Sequence, residues 1–144
     1  MDPARKYQTD AITTQQRGKL IVMLYDGAIR FLNVAKEKLQ EGDYALKGVY
    51  IGKAQDIVAE LNNSLNMEAA PDIAGDLRAL YNFIYRHLNE ANIERSAQKV
   101  DDCIRILAEL RTAWEAVASS PEVAALGQAE GKPADPLPTG GYEA

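Results

Sequence analysis

His87 is the only histidine in this 144-residue sequence, and Cys103 is the only cysteine. A lone histidine can serve as a general base, a metal ligand or a phosphoryl acceptor, but each role needs companions. A di-iron bundle requires Glu-x-x-His pairs on facing helices, and here there is one pair in reversed order, His87 with Glu90. A phosphotransfer histidine sits among small residues with a lysine to steady the phosphate, whereas His87-Leu88-Asn89-Glu90 supplies an acid. A histidine phosphotransfer-type four-helix bundle therefore stays only as an alternative reading. Cys103 cannot form an internal disulfide or a thiolate metal cage, and no second histidine can activate it as a nucleophile. It reads as a small buried hydrophobe. The sequence has no glycine-rich phosphate loop and no nucleophile elbow. These residues predict no enzyme, no cofactor and no metal.

The composition, 47% apolar and 26% charged, is that of a globular chain able to bury a core. Twenty-one acids against 16 bases give a net charge of −5, and no basic cluster offers a face for phosphates. Nucleic acid is not an expected partner. The longest apolar run, residues 20–25, is stopped by Asp26, so no membrane insertion is expected. The first ten residues are polar and lack a signal-peptide core, which predicts a cytoplasmic protein. Three parts are expected: a mobile N-terminal segment over 1–14, a helical domain over 15–119 and a disordered tail over 120–144. The tail assignment rests on Pro121, Gly127, Gly131, Pro133, Pro136, Pro138, Gly140 and Gly141.

The elements that must position any site are helices. Leu20, Leu24, Ala28, Phe31, Ala35 and Leu39 recur at three and four residues, the period of one helix face. Thr13 with Gln16 fits a capping box at the start, and Gly42 supplies a stop. Asp43 caps a second segment carrying Leu46, Tyr50, Ala54, Ile57, Leu61 and Leu65. Pro71 and Asp72 open a third, with Ile73, Leu77, Leu80, Tyr81, Ile84 and Leu88, ended by Asn92. Ser96 caps a fourth with Val100, Ile104, Leu107, Trp114 and Val117. No stretch alternates with period two. Four helices on short links predict an all-α, antiparallel up-down four-helix bundle.

The helices carry more apolar width than a bundle core needs, which is about three positions in seven. Beside the main stripe of the fourth runs Cys103, Ile106, Leu110, Ala113 and Val117. The first adds Ile21, Tyr25, Ile29 and Leu32, the second Ile51 and Val58, and the third Phe83 and Tyr85. Wide contact arcs in a slender bundle would absorb this surplus. So would a groove for an apolar helix, or a homodimer in which the faces meet their copies. Seven tyrosines against two phenylalanines suit a surface wetted in one state and covered in another.

Particular strings go further. Leu20-Ile21-Val22-Met23-Leu24-Tyr25-Asp26-Gly27-Ala28-Ile29 resembles the opening helix of the FliS family of flagellar secretion chaperones. The likeness continues in Lys53-Ala54-Gln55-Asp56-Ile57 and Glu60-Leu61-Asn62-x-Ser64-Leu65. It is strongest in Leu80-Tyr81-Asn82-Phe83-Ile84-Tyr85-Arg86-His87-Leu88-x-x-Ala91-Asn92, and it closes with Leu110-Arg111-x-Ala113-Trp114. Upstream, Tyr7-Gln8 and Thr14 match the spacing of that family's N-terminal segment. One departure is that the family's Ser/Thr-Pro-x-x-Leu helix start is replaced by Gln15-Gln16-Arg17-Gly18-Lys19-Leu20.

The resemblance implies a four-helix bundle that holds the C-terminal segment of flagellin, blocks its premature polymerisation and presents it to a flagellar export gate component. It also implies a mobile N-terminal segment in which Tyr7 and Ile12 shield the groove when no client is bound. The groove residues are expected at Tyr50, Ala54, Ile57, Leu61, Tyr81, Tyr85 and Leu88 on the middle helices, with Ile106 and Leu110 on the last. Periodicity alone does not say which of these faces inward.

Overall fold

The computed structural model describes the backbone over residues 3–117 and side chains over residues 16–117. Four helices follow one another: α1 (Pro3–Glu41), α2 (Tyr44–Asn63), α3 (Pro71–Glu94) and α4 (Ala97–Val117). Each packs against two others, in the ring α1–α2–α3–α4–α1, with α1 on α2 the most extensive pairing and α3 on α4 the lightest. This is the up-down bundle that short connections dictate.

Local chemistry sets most of the helix ends. Gly42 takes the left-handed conformation, φ +78°, which a residue without Cβ adopts at no steric cost. The Asp43 side chain then accepts a hydrogen bond from the Leu46 amide at 3.1 Å, capping α2. Pro71 stands in the first turn of α3, where its missing N–H is not needed, and Asp72 favours the positive end of the helix dipole. Ser96 Oγ accepts from the Lys99 amide at 3.2 Å at the start of α4.

Two expected ends move. α1 begins at Pro3 and runs through Thr13 and Thr14 unbroken, so the Thr13 capping box is not its start and no break separates 1–14 from the bundle helix. Extending an existing helix adds one hydrogen bond per residue fixed, whereas a new start must pay for a nucleus. Gly18 does not interrupt α1 and is buried. At the other end of α3, Asn92 does not terminate the helix, which continues to Glu94 before Arg95 turns left-handed at φ 54°. The side chains of Tyr7 and Ile12, and all of residues 118–144, lie outside the described residues.

The core runs the length of the bundle, and its largest members include Tyr25, Phe31, Leu32, Ile57, Tyr81 and Leu107. The hydroxyls of Tyr25 on α1 and Tyr81 on α3 hydrogen-bond to each other across the diagonal, with ring centroids 6.5 Å apart. Burial is the main force raising both phenol pKa values, Tyr81 to about 12 and Tyr25 further, while Trp114 of α4 acts the other way on each. Both phenols therefore stay neutral at physiological pH. Because Tyr81 is level with Tyr25, the start of α3 lies level with about residue 15 of α1 at a rise of about 1.5 Å per residue. The part of α1 before that point runs past the start of α3.

Removing one hydroxyl deprives the other of its phenol partner and leaves it the Trp114 indole alone, at a cost of about 1 kcal/mol for Tyr25→Phe or Tyr81→Phe. Removing both strands neither. Urea unfolding of the singles and the double should give a double-mutant loss smaller than the sum of the single losses; additive losses would mean the hydroxyls act independently.

Candidate peptide-binding groove

The apolar surplus is largely absorbed. Ile21, Tyr25, Leu32, Ile51, Val58 and Cys103 are all buried in the single copy. So are five of the expected groove residues, Ala54, Ile57, Leu61, Tyr81 and Leu88, which form the closed interior instead of an open surface. Their stripes coincide with the bundle axis, a fact that depends on helix rotation and not on spacing. Tyr50, Ile106 and Leu110 are half-buried and Tyr85 is exposed.

Three of the four seams between helices are bridged along their length. Asp26 with Arg111 and Lys36 with Asp101, each at 2.5 Å, tie α1 to α4. On the α1–α2 seam Phe31 packs on Tyr50 with centroids 6.0 Å apart. There a Cβ at Gly27 would come within 3.2 Å of Ile57 Cδ1, so the glycine permits the close approach. A polar ladder joins α2 to α3. Lys47 Nζ donates to the Asn92 carbonyl at 3.0 Å and to its side chain. Gln55 Nε2 donates to Asn89 Oδ1 at 2.7 Å, and Asn62 Nδ2 to Asn82 Oδ1 at 2.9 Å. Burial, helped by the charge of Arg95, lowers the Lys47 pKa.

The α3–α4 seam is different. Its half towards the α3–α4 turn is clamped by charge. Lys99 reaches Glu90 at 2.9 Å and Glu94 at 2.5 Å, and His87 Nε2 meets Asp102 Oδ2 at 3.0 Å. Asp102 also accepts from Gln98 at 2.9 Å, and its pKa is lowered, first by the His87 hydrogen bond. His87 Nδ1 faces Glu90 at 3.7 Å, and the ring stacks on Phe83 with centroids 5.0 Å apart. With carboxylates at both ring nitrogens, an incoming phosphoryl group would meet negative charge on either side, so the geometry opposes the phosphotransfer reading.

Beyond His87 the seam turns apolar. Continuing the register set by His87 with Asp102 puts Phe83 level with Ile106, Leu80 with Leu110 and Ile73 with Val117. Phe83 is 41% and Ile73 53% exposed, Val117 and Ala113 are also exposed, and Leu80, Ile106 and Leu110 are half-buried against the core. In this half the Cys103 thiol donates to the Ile84 carbonyl at 3.8 Å in the interior, and the ion pairs that join α3 to α4 among the described residues all lie in the other half. The result is an open apolar groove on one seam, closed at one end by an ionic clamp. Of the expected site residues it unites Ile106 and Leu110. Ile73, Leu80, Phe83, Ala113 and Val117 were not expected there, although Phe83 standing four residues before His87 marks the same helix face. Tyr50 and Tyr85 belong to other seams.

Comparison with known proteins accords with this arrangement. The family described as "Flagellar protein FliS" matches residues 1–121. The chain belongs to the FliS family. It is 38% identical to the flagellar secretion chaperone FliS of Vibrio cholerae over 69% of this chain and 73% of the relative. It is 30% identical to that of Bacillus subtilis over 79% and 84%, and 32% identical to that of Salmonella typhimurium over 74% and 80%. This FliS-family chain is thus a flagellar secretion chaperone of the four-helix type. Among its described residues no helix is long and apolar enough to cross a membrane.

The clamp carries a pH signature. A carboxylate whose folded pKa lies below its ordinary value of 3.8 stabilises the fold above that value and ceases to do so as pH falls through the folded one. Acid titration followed by circular dichroism should show Asp102→Asn losing less stability than the parent on descending below about pH 4. Equal acid losses would remove Asp102 from the clamp.

Proposed function

We propose that this chain is a cytoplasmic chaperone for flagellin. It holds the client's disordered C-terminal segment, blocks premature polymerisation and presents the subunit to a component of the flagellar type III export gate. Membership of the flagellar secretion chaperones supports the class, and the open apolar half of the α3–α4 seam is the observation that carries the binding mode. A groove lined by Leu80, Phe83, Ile106 and Leu110 fits an amphipathic helix laid along it, with anchors every three or four residues. A segment that folds as it binds must bury about 1,000–3,000 Å² to offset its ordering cost. One half-seam is too short for that. The client therefore continues around the bundle, with Tyr85 and Tyr50 as contacts on neighbouring seams and Tyr7 and Ile12 as contacts on the part of α1 that runs past α3. Ala54, Ile57, Leu61, Tyr81 and Leu88 support this surface from beneath. The homodimer is the competing use of the same face in the absence of client.

Calorimetry with the flagellin C-terminal segment should give a one-to-one complex, with helix gained on binding. Ile106→Asp or Leu110→Asp should weaken it at least about tenfold, a loss of about 1.4 kcal/mol or more, with helical circular dichroism unchanged. Ile57→Asp, placing a charge in the closed core, should lose the fold instead. Undiminished binding by Leu110→Asp would end the assignment of the groove.

A further inference from the structure

The charge along the open half of the α3–α4 groove has one sign. On α3, Asp76 precedes Leu80 by four residues and Phe83 by seven, and Asp72 stands one turn before Asp76. On α4, Glu109 follows Ile106 by three residues and Asp102 by seven. These spacings keep all three acids on the helix stripes that edge the groove, and all three are exposed. Elsewhere the acids that border a seam face bases: Asp26 faces Arg111, Asp101 faces Lys36, and Glu90 and Glu94 share Lys99. The bases beside the open half are turned away from it. Residues 72–83 contain one, Arg78, which donates to Asn62 on α2 at 3.2 Å. Residues 106–117 contain one, Arg111, which is held by Asp26 on α1. Arg105, at the edge of the clamp, reaches Asp102 at 3.4 Å.

We propose that the open α3–α4 groove selects a basic amphipathic helix, one whose apolar stripe is flanked by Lys or Arg that face Asp76 and Glu109. The proposal rests on the reading of this seam as a helix groove and adds the chemistry of its occupant. Asp72 has a role of its own at the positive end of the α3 dipole, so discrimination falls on the other two acids. A helix packed in the seam lies about 8–10 Å from the axes of its neighbours. The Debye length at physiological salt is about 8 Å, so rim and flank charges act on each other incompletely screened. An acidic helix would be repelled along both edges and a basic one drawn in. Charge of this kind governs partner choice and association rate, while apolar contact with Phe83, Ile106 and Leu110 holds the helix once docked. Two copies meeting open half to open half would set acid against acid, which disfavours a second copy as the occupant.

Calorimetry on the full chain with two synthetic helical peptides tests this. Both carry leucines at i, i+3, i+4 and i+7; one has lysine on the flanks and the other glutamate. The chain should bind the lysine peptide at least about tenfold more tightly at about 0.01 M salt, and the preference should shrink towards about 1 M, where the Debye length is about 3 Å. Asp76→Lys combined with Glu109→Lys should reverse the preference with helical circular dichroism unchanged. Glu37→Lys combined with Asp56→Lys makes the same change in net charge on α1 and α2 and should leave the preference in place. Equal affinity for the two peptides, each weakened by Leu110→Asp, would overturn the basic-helix proposal and leave the groove standing. A preference lost equally in both double variants would overturn it in favour of attraction by net charge alone. Binding of neither peptide would remove the groove and the proposal together; a chain that then sediments as a dimer, and as a monomer in Leu110→Asp, would assign the face to a second copy.

Discussion

The buried contact between the Tyr25 and Tyr81 hydroxyls joins α1 and α3, which face each other across the diagonal of the bundle. A hydroxyl inside an apolar bundle must find a partner, and across this core the partner is the other phenol, with Trp114 beside both. That requirement fixes α1 and α3 in height and rotation. Once those two are set, α2 and α4 can only fill the sides, and the faces they turn inward follow. The stripes that look surplus in the sequence are consumed by the core that surrounds this pair.

The same constraint leaves one seam wanting. α1 meets both its neighbours over long stretches, and the α2–α3 seam is laced by amides and one lysine. α3 and α4 touch least. Where their facing residues are charged, the seam is drawn together by Lys99, Glu90, Glu94, His87 and Asp102. Where they are apolar, the directional links lie in the interior, Cys103 to the Ile84 carbonyl and Trp114 beside Tyr81, and the outer side chains stay half out. Exposed ion pairs are individually weak, so the clamp's role is to set geometry more than to add stability. It decides where the groove stops.

This arrangement suits the proposed task of holding another chain. A slender four-helix bundle has much surface for its interior. Among the described residues the ionisable groups buried in the core are two phenols held neutral, one thiol and the amphipathic Lys47.

Much was legible in the residues. Gly42, Asp43, Pro71 and Ser96 act within a few residues of themselves, so their identities alone set the end of α1 and the starts of α2, α3 and α4. The helical period gave four amphipathic segments, and the strings from Leu20 to Trp114 identified the family. Helix ends without such local chemistry were not legible: α1 ran past its expected start and α3 past Asn92. Nor was the division between core and groove, because Ile57 and Leu110 are alike in type and periodicity. Ile57 is enclosed, with α1 approaching it closely at Gly27, whereas Leu110 packs on the core with one side left half-open. The sequence by itself determined the helices, most of their caps and their kinship, since those depend on near neighbours along the chain. Only the tertiary structure decided which apolar face is left for a guest, since that depends on how each helix is rotated against residues far away in sequence.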